Sequence, residues 1–257
     1  MNYFYKGKKV KDVKDAFRQM GKQGLENIME KNQTKENPVT KWIKKNRNRL
    51  TNTFISYDDV LGLKDPYTLH LHSLALGWLY GGVTLISDPT FKELVFNTAM
   101  PTKFPEEWLE FIPSWTVAVD LPEEQGTIFL GYRKSKEGRC VVIGTDINAE
   151  TPNCVKTVNL YSLQLQDAGN GLVTYDYGNA LDCAQNIRFW RTLADAATKV
   201  MFLCTLIPPS YRTSFNDIKF KEIKKNGSIS YEVKPRERDV KVDITPGPVK
   251  YLQGFNT

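Results

Sequence analysis

The chain has 257 residues, 41% hydrophobic and 25% charged, a composition too apolar for disorder and long enough for one large core with a basic appendage. Its four cysteines, at 140, 154, 183 and 204, form no Cys-x-x-Cys pair, and two histidines cannot build a three-His centre, so no metal and no cofactor is expected. The net charge of +6 is uneven: residues 1–50 carry 14 Lys/Arg against 5 Asp/Glu, residues 51–215 carry 12 against 18, and residues 216–257 carry 9 against 6. That division predicts a basic helical N-terminal region (1–50), an α+β core domain (51–215) and a basic hairpin with an extended tail (216–257). Basic ends favour an anionic partner, of which nucleic acid is the commonest, although solvated lysines give the same pattern.

The start, Met1-Asn2-Tyr3-Phe4-Tyr5-Lys6-Gly7-Lys8-Lys9, has no apolar stretch and no small-residue cleavage site, which predicts no secretion signal. The longest apolar run, Val200 to Ile207, is far short of the ~20 residues of a membrane-spanning helix, so a soluble, cytoplasmic protein is expected. Val13, Phe17, Met20, Leu25, Ile28 and Met29 recur at helical spacing, interrupted at Gly21 and Gly24, which predicts a broken helix or two short ones. After a polar boundary at 32–38, the segment from Trp42 to Leu50 carries Lys44, Lys45, Arg47 and Arg49 and is expected to be helical. Ser56-Tyr57-Asp58-Asp59 reads as a helix cap, which explains its paired carboxylates without metal or acid/base chemistry.

From Pro66 the chain reads as a core helix over about 68–80, ended by Gly81-Gly82, with Leu71, Leu74, Ala75, Trp78 and Leu79 on one face. His70 and His72 point about 200° apart on a helix and cannot share a metal. Asp88-Pro89 opens another helix, and Met100 to Glu106 reads as loop. Phe111 to Asp120 reads as a strand, Thr127–Arg133 and Arg139–Thr145 as a hairpin, and Val155 to Leu165 as a fourth strand. Short connections predict one antiparallel meander of about four strands. A long helix from about Ala180 to Leu206 follows, stopped by Pro208-Pro209, its apolar face packing on the sheet. Lys225-Asn226-Gly227 sits between two alternating runs and predicts a second hairpin. The fold class is therefore α+β: an antiparallel sheet of about four strands packed by helices, with a basic helical N-terminal region.

Phosphate loops, dinucleotide fingerprints, nucleophile elbows and His-Glu-x-x-His motifs are all absent from the sequence, and no catalytic residue is assigned. Asp120, Asp146 and Asp176 fall at strand ends, where convergence would hold a divalent cation, but spacing cannot establish convergence. The candidate nucleic-acid residues are Lys8, Lys9, Lys44, Lys45, Arg47 and Arg49, basic groups interleaved with Tyr3, Tyr5 and Trp42. Along the strand that opens at Phe111, Trp115, Val117 and Val119 share one face and are expected to pack on a helix. Thr116, Ala118 and Asp120 share the other, a face for a partner or for solvent.

Leu79-Tyr80-Gly81, Pro113-Ser114-Trp115-Thr116-Val117-Ala118-Val119-Asp120, Asp176-Tyr177-Gly178-Asn179-Ala180-Leu181 and Leu203-Cys204 occur in that order. In these motifs the chain resembles a family of phage-encoded anti-CRISPR proteins that inhibit the type V-A single-effector CRISPR nuclease. The resemblance spans roughly residues 65–210 through short motifs separated by unlike sequence. It implies a non-enzymatic inhibitor of phage or mobile-element origin, acting in the bacterial cytoplasm, that recognises a nascent polypeptide of the nuclease and leads to loss of its messenger RNA. The implied partners are the nascent chain or a ribosome-associated complex, and RNA. Tyr80, Trp115, Asp120 and Tyr177, the aromatic and acidic members of the motifs, become candidate peptide-binding residues. For Asp120, a role capping the turn at Pro122 stands beside that reading. The chain departs from the family pattern at Gln253-Gly254-Phe255-Asn256-Thr257, where relatives carry a longer tail rich in His, Arg and Trp. An RNA-binding protein acting through the basic N-terminus, and a metal-dependent nuclease using Asp120, are the alternatives.

Overall fold

The computed structural model describes residues 3–5, 8–31, 33, 36–41, 66–113, 115–122, 126–135, 138–145, 159–177, 184–207, 220–225 and 228–244. Two antiparallel strands, β1 (Tyr3–Tyr5) and β2 (Lys8–Val10), open the chain and lead into helix α1 (Val13–Lys31). The Asp12 carboxylate accepts from the Asp15 amide at 2.8 Å, and the Asp15 carboxylate accepts from the Lys11 amide at 3.2 Å, which satisfies donors at the helix start. The expected break at the glycines does not occur, and α1 is one continuous helix. A methyl group at Gly21 would lie 2.6 Å from the Ala75 carbonyl oxygen, so glycine there serves close helix packing.

That packing is against α2 (Pro66–Gly81), in which every side chain from Ser73 onward is buried. A helix apolar all round belongs between two layers. One of those layers is α1, and the other is the sheet. Then follow β3 (Val83–Ile86), α3 (Pro89–Asn97), β4 (Lys103–Pro105), a 3₁₀ turn (Glu106–Phe111), β5 (Val117–Asp120), β6 (Thr127–Ser135), β7 (Gly138–Thr145), β8 (Asn159–Gly169), β9 (Leu172–Asp176) and α4 (Ala184–Thr205). A hairpin, β10 (Phe220–Lys225) with β11 (Ser228–Val233), and strand β12 (Val240–Asp243) complete the described elements.

The sheet departs from the sequence expectation. It has eight strands in the order β12-β3-β5-β6-β7-β8-β9-β4, and it is mixed: β12 with β3 and β3 with β5 are parallel, the remaining pairs antiparallel. The expected four-strand meander is its centre, β5 to β8. Four further strands flank that centre. Each is short, between three and five residues, and three of them pair with strands distant in sequence. Short segments carry almost no periodic signal, and parallel pairing needs a long crossover rather than a turn. The region read as loop before Glu106 contains β4 for the same reason. The β8–β9 turn runs through Gly169, Asn170 and Gly171, all at positive φ (81°, 55° and 73°), a conformation suited to Gly and Asn.

Helices cover both faces. On one side α4 and α3 lie over Val117, Val119, Ile128, Leu130, Val141 and Ile143, with Leu193, Ala197, Val200 and Cys204 as the helical face toward them. On the other side Phe17 of α1 stacks on Phe129 of β6 at 4.0 Å between ring centroids, and Trp78 of α2 meets the same ring edge-on at 5.1 Å. Gly144 of β7 makes room there, since a methyl at that position would lie 2.6 Å from Phe17 Cζ. Among the described residues no helix is long and apolar enough to cross a membrane.

Candidate functional site

The parallel strands β12, β3 and β5 end together, and register places Asp243 opposite Ile86 and Asp120 opposite Thr127. Leu85 pairs with Val119, so Asp120 follows beside Ile86 in the same row. Side chains in one row project from the same face. The row emerges at the surface: Ile86 is 40% exposed, and the Asp120 side chain is 51% exposed.

Two contacts fix the Asp120 carboxylate. One oxygen accepts from the Thr127 hydroxyl at 2.8 Å, and the other pairs with Lys14 Nζ of α1 at 2.8 Å. Lys14 is itself positioned, because its carbonyl accepts from the Trp78 indole N–H at 3.0 Å. One turn further along α1, Arg18 lies near Asp239, whose carboxylate accepts from the Thr84 hydroxyl of β3. Burial opposes ionisation of Asp239, but the Thr84 hydroxyl, its own backbone amide, Lys14 and Arg18 outweigh it and hold the carboxyl below the usual range. Two basic groups of the N-terminal region thus face carboxylates of the chain itself.

The candidate peptide-binding residues take different positions. Thr116 donates to the Leu74 carbonyl at 2.9 Å, so the face of β5 that carries Thr116, Ala118 and Asp120 is covered by α2 and α1 up to Asp120. Trp115, just before β5, is 1% exposed and lies against Gly77 of α2 rather than on the Val117 face. Tyr80 is also 1% exposed, and its hydroxyl accepts from Asn37 Nδ2 at 2.7 Å. Trp115 thus meets α2, Tyr80 meets Asn37, and Asp120 meets α1 and β6; of the three only Asp120 is at the surface. Tyr177 is half-buried beyond β9, on the far side of three intervening strands, and burial raises its pKa, with Arg191 opposing and Asp195 adding to the rise.

Asp120 and Asp176 end strands four positions apart in the sheet, roughly 19 Å at the usual strand spacing, so those two carboxylates do not share a cation; Asp146 lies outside the described residues. Lys8 and Lys9 belong to β2. Lys44, Lys45, Arg47 and Arg49 lie outside the described residues, as do the Ser56–Asp59 cap and the tail after 244. Sequence reasoning missed Lys14 and Ile86 as neighbours of Asp120. The i,i+4 pairing of Lys14 with Arg18 on the amphipathic helix was the available signal for the first, and none existed for the second.

No protein-family model matches the chain, and no curated protein matches it. Among solved structures, the crystal structure of AcrVA2 is similar to this chain at 13% sequence identity, covering 90% of this chain and 82% of that one with a TM-score of 0.42. A likeness of that degree establishes neither family nor activity.

Proposed function

We propose that this chain is an anti-CRISPR-like inhibitor of phage or mobile-element origin that binds a nascent polypeptide of a type V CRISPR nuclease and lowers its expression in the bacterial cytoplasm. The reading rests on the ordered motifs, and the observation that carries it furthest is where one of them ends. From Trp115 to Val119 that motif is buried, and then Asp120 emerges half-exposed beside Ile86. Buried motif residues explain a frame. The motif carboxylate is held by Thr127 and Lys14 and still presented at the surface, next to an exposed apolar side chain. An apolar contact bordered by a fixed acceptor is a means of holding an extended chain, with Asp120 accepting from a backbone amide or an arginine.

The test is to express this protein with a type V nuclease and follow nuclease message and protein. Both should fall, and ribosomes translating the nuclease should co-purify with the wild-type chain. Asp120→Asn should weaken that co-purification while leaving folding unchanged, since an exposed ion pair contributes only about 0–1 kcal/mol. Unchanged message and nuclease levels in the presence of the wild-type chain would sink the proposal.

A further inference from the structure

Among the described residues the eight-strand sheet ends in β12 on one side and β4 on the other. A strand at an edge turns half of its backbone groups outward, where they can pair with another strand. At β4 that route is blocked. The Glu106 amide donates to the Gly171 carbonyl just before β9, so alternation turns Lys103 and Pro105 outward, and proline has no N–H to give. At β12 the Val240 amide donates to Gly82 and the Ile244 amide to Ile86, so Lys241 and Asp243 are the outward positions, each with a backbone donor and acceptor.

The side chains of β12 divide between the two faces of the sheet. Val242 and Ile244 are 2% and 3% exposed and join the core on the α4 side, with Val240 packed beside them. Lys241 and Asp243 are exposed on the other face, in register with Thr84 and Ile86. Lys241 is in none of the ion pairs of the described residues. A lysine on an edge ordinarily discourages pairing with another chain. Here it stands two residues from an aspartate, and that spacing reverses the effect for one partner.

We propose that β12 is an interface with a second copy of this chain, the two strands pairing antiparallel about a two-fold axis at Val242. In that register Lys241 lies opposite Asp243 of the second copy, and Asp243 lies opposite Lys241 of the second copy. Both are outward positions, so each couple exchanges N–H···O bonds in both directions, and side chains of opposite charge stand across from one another. On the other face Val242 meets Val242 of the second copy and Val240 meets its Ile244, which extends the apolar row across the axis. A shift of two residues either way sets lysine opposite lysine or aspartate opposite aspartate, which repulsion disfavours. The same patch serves on both chains, so the pair closes as a dimer. The interface does not use the Asp120 carboxylate and stands whether or not that group holds a polypeptide.

The experiment is sedimentation velocity of the full chain over a concentration series. With rising concentration the wild type should move from the 29.4 kDa of one chain to twice that mass. Lys241→Asp turns each couple into two carboxylates and Asp243→Lys turns it into two ammonium groups, so each variant alone should associate at least about 10-fold more weakly. Mixed in equal amounts, the two variants are complementary at both couples, and association should return. Both positions are exposed, so the single variants should unfold at the wild-type midpoint, and recovery on mixing cannot come from folding. A wild type that stays monomeric across the series, to the limit of its solubility, would overturn the proposal, as would a dimer that neither charge reversal weakens. Loss in both variants without recovery in the mixture would overturn the pairing of Lys241 with Asp243.

Discussion

The docking of α1 on the sheet can be tested through one steric pair, Phe17 and Gly144. Phe17 is fully buried and stacked on Phe129, so Phe17→Ala removes a core ring and should cost about 3–5 kcal/mol. Gly144→Ala places a methyl 2.6 Å from Phe17 Cζ and 2.8 Å from Leu74 Cδ2, an overpacking that should cost about 1–3 kcal/mol. In the double variant the first clash is gone, and the new methyl fills part of the space left by the ring. The double variant should therefore be less destabilised than the sum of the singles by at least about 1 kcal/mol. Urea unfolding followed by tryptophan fluorescence gives all four stabilities, provided the slope with denaturant stays constant across the set. Effects that add to within about 0.5 kcal/mol would refute the contact and with it the docking of α1 over β7.

Further expectations follow from other contacts. The Asp239 carboxyl sits below its ordinary range in the folded state, so its contribution is complete above about pH 4 and is lost as pH falls through the folded value. The stability gap between wild type and Asp239→Asn should therefore narrow on acidification below about pH 4, and a gap that stays constant down to pH 2.5 would contradict the Thr84–Asp239 linkage. Lys199, buried in α4, donates to the Phe96 carbonyl at the end of α3 at 2.7 Å, and Lys199→Met should cost about 1–3 kcal/mol in thermal or urea unfolding. Asp88 caps α3 by accepting from the Phe91 amide at 3.2 Å, and Asp88→Ala should cost about 1 kcal/mol, read from the unfolding midpoint. Gly77→Ala would set a methyl 2.4 Å from Thr116 Oγ1 and should destabilise by about 1–3 kcal/mol. A variant as stable as wild type would mean that α2 can retreat from β5.

Much of the local structure was written in the chain. Asp88-Pro89 announces the start of α3, Gly81-Gly82 the end of α2, and the apolar spacing from Leu193 to Cys204 the face that α4 turns to the sheet. The β6–β7 hairpin and the β10–β11 hairpin around Asn226-Gly227 are local too, because a short connection can pair only neighbouring strands. Capping, periodicity and turn chemistry act over a few residues, and so they can be read from a few residues.

What the tertiary structure alone decided concerns partners distant in sequence. Whether β5 has antiparallel neighbours on both sides or a parallel β3 on one depends on the crossover through α3, and the addition of β12 depends on residues more than 150 positions from β3. The face of β5 that alternation left to a partner or to solvent is covered by the chain's own α1 and α2, with Asp120 the position where that cover ends. Its neighbours Lys14 and Ile86 come from two other elements. The sequence determined which faces are apolar, because that is a property of spacing. Only the fold decided which of them are covered and which side chains meet at the surface, because burial is a property of the whole packed chain.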